Sequence, residues 1–130
     1  MRNHTIEGWI DDHGQPIMQL QLLGLEDPVV ALIDTGFNGE LIIYEEHAHQ
    51  AHLRIKPKAS DITLADGSRA EFLISEGVIE WFGESRQTTI FVIPGPAPQK
   101  GRWQIGTQLL RDCRLEINFR ERNVRLSREV

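Results

Sequence analysis

The chain has 130 residues, enough for one domain spanning 1–130 and too few for two independent cores. It is 40% hydrophobic, 25% charged and carries a net charge of −5, which excludes wholesale disorder, collagen and coiled coil and disfavours non-specific binding to nucleic acid. The single cysteine, Cys113, has no internal disulfide partner, the opening Met1–Trp9 is polar, and no run approaches the ~18 apolar residues of a membrane span, so a reducing, cytoplasmic setting without leader or membrane anchor is expected.

Short apolar or alternating runs separated by turn residues predict a mostly-β chain. Ile6–Ile10 reads as a strand, and Asp11-Asp12-His13-Gly14 as a turn. Met18, Leu20 and Leu22 alternate with Gln19 and Gln21, giving a strand with one buried face. Gly24–Pro28 turns the chain. Val29–Ile33 is apolar without alternation and predicts a central strand covered on both faces. Another apolar run spans Glu40–Tyr44, and Glu45–Leu53 is the best short helix, with acidic residues in its first turn. Pro57 is expected to end that region. Ser60–Leu64 and Arg69–Ile74 flank Ala65-Asp66-Gly67-Ser68, a hairpin turn by its Asp-Gly pair. Gly77–Phe82 and Gln87–Ile93 predict a second hairpin, followed by a Pro/Gly loop over 94–101. Thr107–Asp112 reads as a short helix, and Arg114–Phe119 with Val124–Leu126 as a last hairpin.

The chemical centre is Ala31-Leu32-Ile33-Asp34-Thr35-Gly36. An apolar strand there delivers a carboxylate directly into a turn. Aspartate is depleted in strands and costly to bury alone, so it either caps its own turn or performs chemistry. Thr35 can hydrogen-bond backbone or a second chain, and Gly36 permits close backbone approach. About 70 residues later, Ile105-Gly106-Thr107-Gln108-Leu109-Leu110 forms a second apolar-Gly motif.

These two motifs, in this order and spacing over roughly residues 6–126, resemble the retropepsin-like aspartic proteases. Gly8-Trp9-Ile10, Gly14-Gln15-Pro16 and Asp34-Thr35-Gly36-Phe37-Asn38-Gly39 are similar to the small bacterial branch of that clan. The resemblance implies an all-β fold, a closed acid-protease β-barrel with one or two short helices. It implies an aspartic endopeptidase without metal or organic cofactor, acting on peptide or protein substrates. The chain holds one Asp-Thr-Gly, so two aspartates require a homodimer with Asp34 from each subunit. Two carboxylates in contact share one proton, and the pair activates a water against the peptide carbonyl. Thr35 and Gly36 would support the active-site loop, with Thr35 locking the two loops across the axis. Phe37, Asn38, Ala65, Asp66, Gly67 and Ile105 would meet the substrate, the 60–74 hairpin serving as a mobile flap. Leu32, Ile33 and Ile105 would wall the dyad from beneath. The strands at Ile6–Ile10 and Arg114–Leu126, whose partners within one subunit are not evident, are sent to the dimer interface by the same resemblance.

The departures are specific. Viral relatives usually carry Ala where this chain has Phe37, and an acid–Arg pair where it has Asn38 and Thr107, so that ion pair cannot hold this dimer. The alternative function is a non-catalytic peptide-binding or regulatory module on the same fold. His47, His49 and His52 read as solvated helix residues, Cys113 as a small buried hydrophobe, and Trp9, Trp81 and Trp103 as core or near-core packing. Seven of the 14 basic residues follow Gly101, interleaved with Glu116 and Glu121, which suits a solvated strand face better than a nucleic-acid surface.

Overall fold

The computed structural model describes residues 4–63, 66–99 and 101–128. Its strands are β1 (Thr5–Ile10), β2 (Pro16–Leu20), β3 (Val29–Ile33), β4 (Leu41–Tyr44), β5 (Lys56–Thr63), β6 (Arg69–Trp81), β7 (Glu84–Ile93), β8 (Trp103–Ile105), β9 (Arg114–Asn118) and β10 (Asn123–Ser127). Two short helices, α1 (Glu45–Gln50) and α2 (Thr107–Leu110), follow β4 and β8. Neither is long and apolar enough to cross a membrane.

All ten strands join one sheet in the order β5-β6-β7-β4-β8-β3-β2-β1-β10-β9. Alternation puts Met18, Leu20, Ala31, Ile33, Leu41, Ile43, Ile90 and Val92 into one main core with Trp103 and Ile105. The sheet also folds back on itself. The chain just past β2 reaches β6, where Leu23 N–H donates to the Val78 carbonyl at 2.8 Å and Glu80 N–H to the Gln21 carbonyl at 3.0 Å. Its two ends, β5 and β9, share no ladder among the described residues, so the sheet curls over its core without the continuous closure expected of a barrel.

Several elements differ from expectation for physical reasons. The strands foreseen at Arg69–Ile74 and Gly77–Phe82 form a single 13-residue strand, β6. Gly77 does not break it, because it keeps its place in the ladder opposite Thr88, and the tips of Ile90 and Leu22 fill the space beside its Cα. The turn after β6 is only Phe82-Gly83, both at positive φ (53° and 78°), the geometry of a tight hairpin. Pro57 lies inside β5 rather than ending a region; β5 is an edge strand, and its register shifts between Lys56 and Ser60. Helix α1 stops at Gln50, and His52 takes a left-handed φ of 58° just beyond it.

The terminal strands find, within the chain, ladder partners that the sequence left open. β1 pairs with β10 from Thr5↔Ser127 to Trp9↔Asn123, and β10 pairs with β9. Their ladder partners are therefore within the chain, and β9 forms one end of the sheet among the described residues. Trp81 and Trp103 are buried as expected, whereas Trp9 is 38% exposed.

The β1–β2 turn is pinned by Asp11, a buried carboxylate. Its Oδ1 accepts the backbone N–H groups of His13 and Gln15, both at 2.9 Å, and its Oδ2 meets the Arg102 guanidinium. The Gln15 N–H and Arg102 together hold the Asp11 carboxyl at about 2, below its usual 3.8. A lowered folded-state value means stability that is present above the unfolded value and lost as pH falls through the window. Asp11→Asn should therefore be less stable than wild type at neutral pH. The difference should shrink between pH 3.8 and about 2, read as converging urea midpoints. Parallel curves over that window would show that the Asp11 charge contributes nothing to folding.

Candidate active site

β3 carries the apolar run into Asp34. The ladder with β8 is parallel, pairing Ala31 with Trp103, Leu32 with Gln104 and Ile33 with Ile105. It continues one residue further, since Asp34 N–H donates to the Ile105 carbonyl at 2.9 Å. The chain then turns: Gly36 N–H donates to Asp34 Oδ1 at 2.9 Å and Phe37 N–H to the Asp34 carbonyl at 3.2 Å. Asp34 thus caps its own turn and still leaves its second carboxylate oxygen free of described partners. The side chain is half-buried, as an accessible carboxylate at the end of a buried strand should be.

The second motif is stitched to this loop by backbone. Gly106 N–H donates to the Glu40 carbonyl at 3.0 Å, Thr107 N–H to the Phe37 carbonyl at 2.8 Å and Gln108 N–H to the Gly39 carbonyl at 3.1 Å. The first N–H groups of a helix lack intrahelical acceptors. At α2 they are satisfied by carbonyls of the Asp34 loop rather than by a side-chain cap. The two motifs therefore form one unit, 70 residues apart in sequence. Asn38 and Thr107 meet loosely, with Thr107 Oγ1 3.5 Å from Asn38 Oδ1. Glu40 extends the anchorage to β7, accepting from Arg86 at 2.9 Å and from Thr89 N–H at 3.0 Å.

Phe37 and Ile105 do not stand at an open surface. Ile105 is 0% exposed within the core, and Phe37 is 3% exposed. The Phe37 ring packs edge-on against Phe91 at 5.9 Å, within a second apolar cluster that includes Ile42 and Phe72. Its place is secured by two glycines. A Cβ on Gly39 would lie 2.4 Å from the Phe37 ring, and one on Gly106 would lie 2.5 Å from it. Ile105 packs in the main core and Phe37 in the second cluster, so the loop is braced by both. Phe37 follows the Asp-Thr-Gly motif on a polar-looking loop, so its burial was not readable from local pattern.

Thr35 is exposed, and its hydroxyl bonds no described residue, so the local hydroxyl-to-backbone bond is not what holds it. Asp66 and Gly67 lie at the exposed tip of the β5–β6 hairpin. Asp66 Oδ1 accepts both the Ser68 hydroxyl at 2.6 Å and its N–H at 2.9 Å, and these bonds hold its carboxyl below the ordinary range. Gly67 sits at φ 85°, with open space around it. Ala65 lies outside the described residues.

Behind β8, Trp103 donates its indole N–H to His47 Nδ1 at 3.0 Å. That bond needs an unprotonated Nδ1, and burial pushes the His47 value down, against a smaller opposing pull from Glu46. His49 and His52 point outward. Cys113 is half-buried, and burial raises its thiol, which fits packing rather than nucleophilic use. Most late arginines are paired: Arg102 with Asp11, Arg114 with Glu116, Arg125 with Glu7, and Arg128 with Glu84 and over the Phe82 ring.

The fold is retropepsin-like. It superposes on a retropepsin-like aspartic protease from Rickettsia conorii with a TM-score of 0.67 at 12% identity, covering 95% of this chain and 90% of that one. It also matches EIAV protease, solved with the inhibitor HBY-793, with a TM-score of 0.58 at 18% identity over 78% of this chain and 90% of that one. No protein-family model matches the sequence, and no curated protein matches it significantly. The likeness therefore lies in backbone architecture, which survives where side chains have diverged.

Proposed function

We propose that the chain is a single-domain aspartic endopeptidase that hydrolyses peptide bonds as a homodimer. Asp34 of each subunit forms one half of the catalytic dyad. The observation that carries this reading is the half-buried Asp34 carboxylate at the end of β3, in a loop held by backbone bonds to Ile105, Gly106 and Thr107, within a retropepsin-like fold. One carboxylate takes a proton from water while the other, sharing the dyad's single proton, donates toward the peptide carbonyl. No metal or organic cofactor is required for these steps. Thr35, exposed and free of local bonds, contacts its counterpart across the axis, and Gly36 presents backbone. The exposed tip around Asp66 and Gly67 closes over substrate, with Asn38 at the edge of the cleft. The reducing cytoplasm of a bacterium suits the lone, shielded Cys113.

The dimer must place two Asp34 carboxylates in contact and bury at least about 1,000 Å². Sedimentation at micromolar concentration should show a species of twice the chain mass, and a peptide library should be cleaved with a bell-shaped pH profile. A monomer at all concentrations would overturn the dyad, because one chain supplies only one Asp-Thr-Gly. A dimer that binds peptides and cleaves none would establish the binding-module alternative.

A further inference from the structure

Strand parity decides what surrounds Asp34. Ile33 and Ile105 pair and point into the core, so their neighbours Leu32 and Gln104, which also pair, point to the opposite face. Asp34, two residues beyond Leu32 and still bonded to β8, shares that face. Leu32 and Gln104 of this face line an open pocket of about 430 Å³, together with His13, Gln15, Tyr44, Pro98 and Arg102. Gly101 completes the wall, where a Cβ would lie within 2.8 Å of both Pro98 and Tyr44.

The lining mixes apolar Leu32 and Pro98 with polar Gln15, Tyr44, Arg102 and Gln104. Gln104 is half-buried, and neither its amide nor the Tyr44 hydroxyl bonds a described residue. The Arg102 charge is balanced by Asp11, and only its Nη1 is used, at Asp11 and at Gln15 Oε1 3.4 Å away. The other guanidinium N–H groups remain as donors. The pocket therefore offers hydrogen-bond donors and an amide, with its one guanidinium charge already paired. A Leu or Phe side chain would strip water from the Gln104 amide and return no bond. A Lys side chain would bring a second cation to Arg102. An amide side chain pairs with the Gln104 amide and accepts from Arg102.

We infer that this pocket sets cleavage specificity and that it selects a glutamine beside the scissile bond, with Gln104 as the discriminating residue. This rests on the protease reading above. The dimer axis repeats the pocket, so one lies on each side of the bond.

The test is competitive cleavage of paired decapeptides, identical except for Gln or Leu at the residues flanking the cut, quantified by mass spectrometry in one tube. A ratio measured this way is unaffected by the fraction of enzyme folded. Wild type should favour Gln by about tenfold or more, and Gln104→Leu should reverse the preference. Cleavage that favours Leu in wild type, or a ratio unchanged by Gln104→Leu, overturns the inference and leaves the protease reading standing. No cleavage of any peptide by wild type removes both.

Discussion

Asp34→Asn should abolish peptide cleavage and leave the fold intact. Asparagine keeps the side-chain oxygen that accepts the Gly36 N–H at 2.9 Å, so the turn is preserved. It removes the only atoms able to take and return a proton. In a symmetric dimer one substitution deletes both halves of the dyad. The loss in kcat/KM should reach at least about a thousandfold, the scale of general acid–base catalysis. The melting temperature should stay within about 2 °C of wild type, since no packing changes and, in the proposed dimer, repulsion between two carboxylates would be relieved. Asp34→Ala separates the two roles. It is equally inactive and also loses the turn bond, costing about 1 kcal/mol. Equal cleavage by wild type and Asp34→Asn would assign the activity to another site.

Gly106→Ala should cost more in stability than any change at Asp34. Its backbone is ordinary (φ −101°), so the reason for glycine is space alone. An added Cβ would stand 2.2 Å from the Gly39 carbonyl oxygen, 2.5 Å from the Phe37 ring and 2.7 Å from the Phe37 carbonyl oxygen. Two of these are backbone atoms, and no rotamer relieves them. The 37–39 loop must move, breaking the bonds that cap α2 and bracket Asp34. Overpacking of this kind costs about 3 kcal/mol, or roughly 10 °C in Tm for a chain this size. Phe37→Leu should fail to rescue it, because the carbonyls remain. Gly14→Ala is the control: it meets nothing within 4 Å and pays only for its φ of 78°, about 1 kcal/mol. If Gly106→Ala melted with wild type, the coupling of the two motifs would be looser than their hydrogen bonds indicate.

Local pattern determined much of this protein. Alternation in Met18–Leu22, the apolar Val29–Ile33 run and the Asp66-Gly67 turn specify strands and a hairpin because each depends only on neighbours in sequence. The same is true of the Asp34 turn, whose hydrogen bond to Gly36 spans two residues. What needed the tertiary structure was everything set by partners far apart in the chain. β1 finds β10 across more than a hundred residues, a pairing that no local signal announces. Gly77 stays inside a strand because β7 pairs with it at Thr88 in an unbroken register. Phe37 is buried because Phe91, Phe72 and two distant glycines shape a slot for its ring. Parity in the β3–β8 ladder turned Ile105 into the core and Gln104 to the opposite face of the sheet, which the local pattern around Gly106 did not show. Sequence supplied Asp34 and its turn; the packing of β8 and α2 against that turn decided what Asp34 faces.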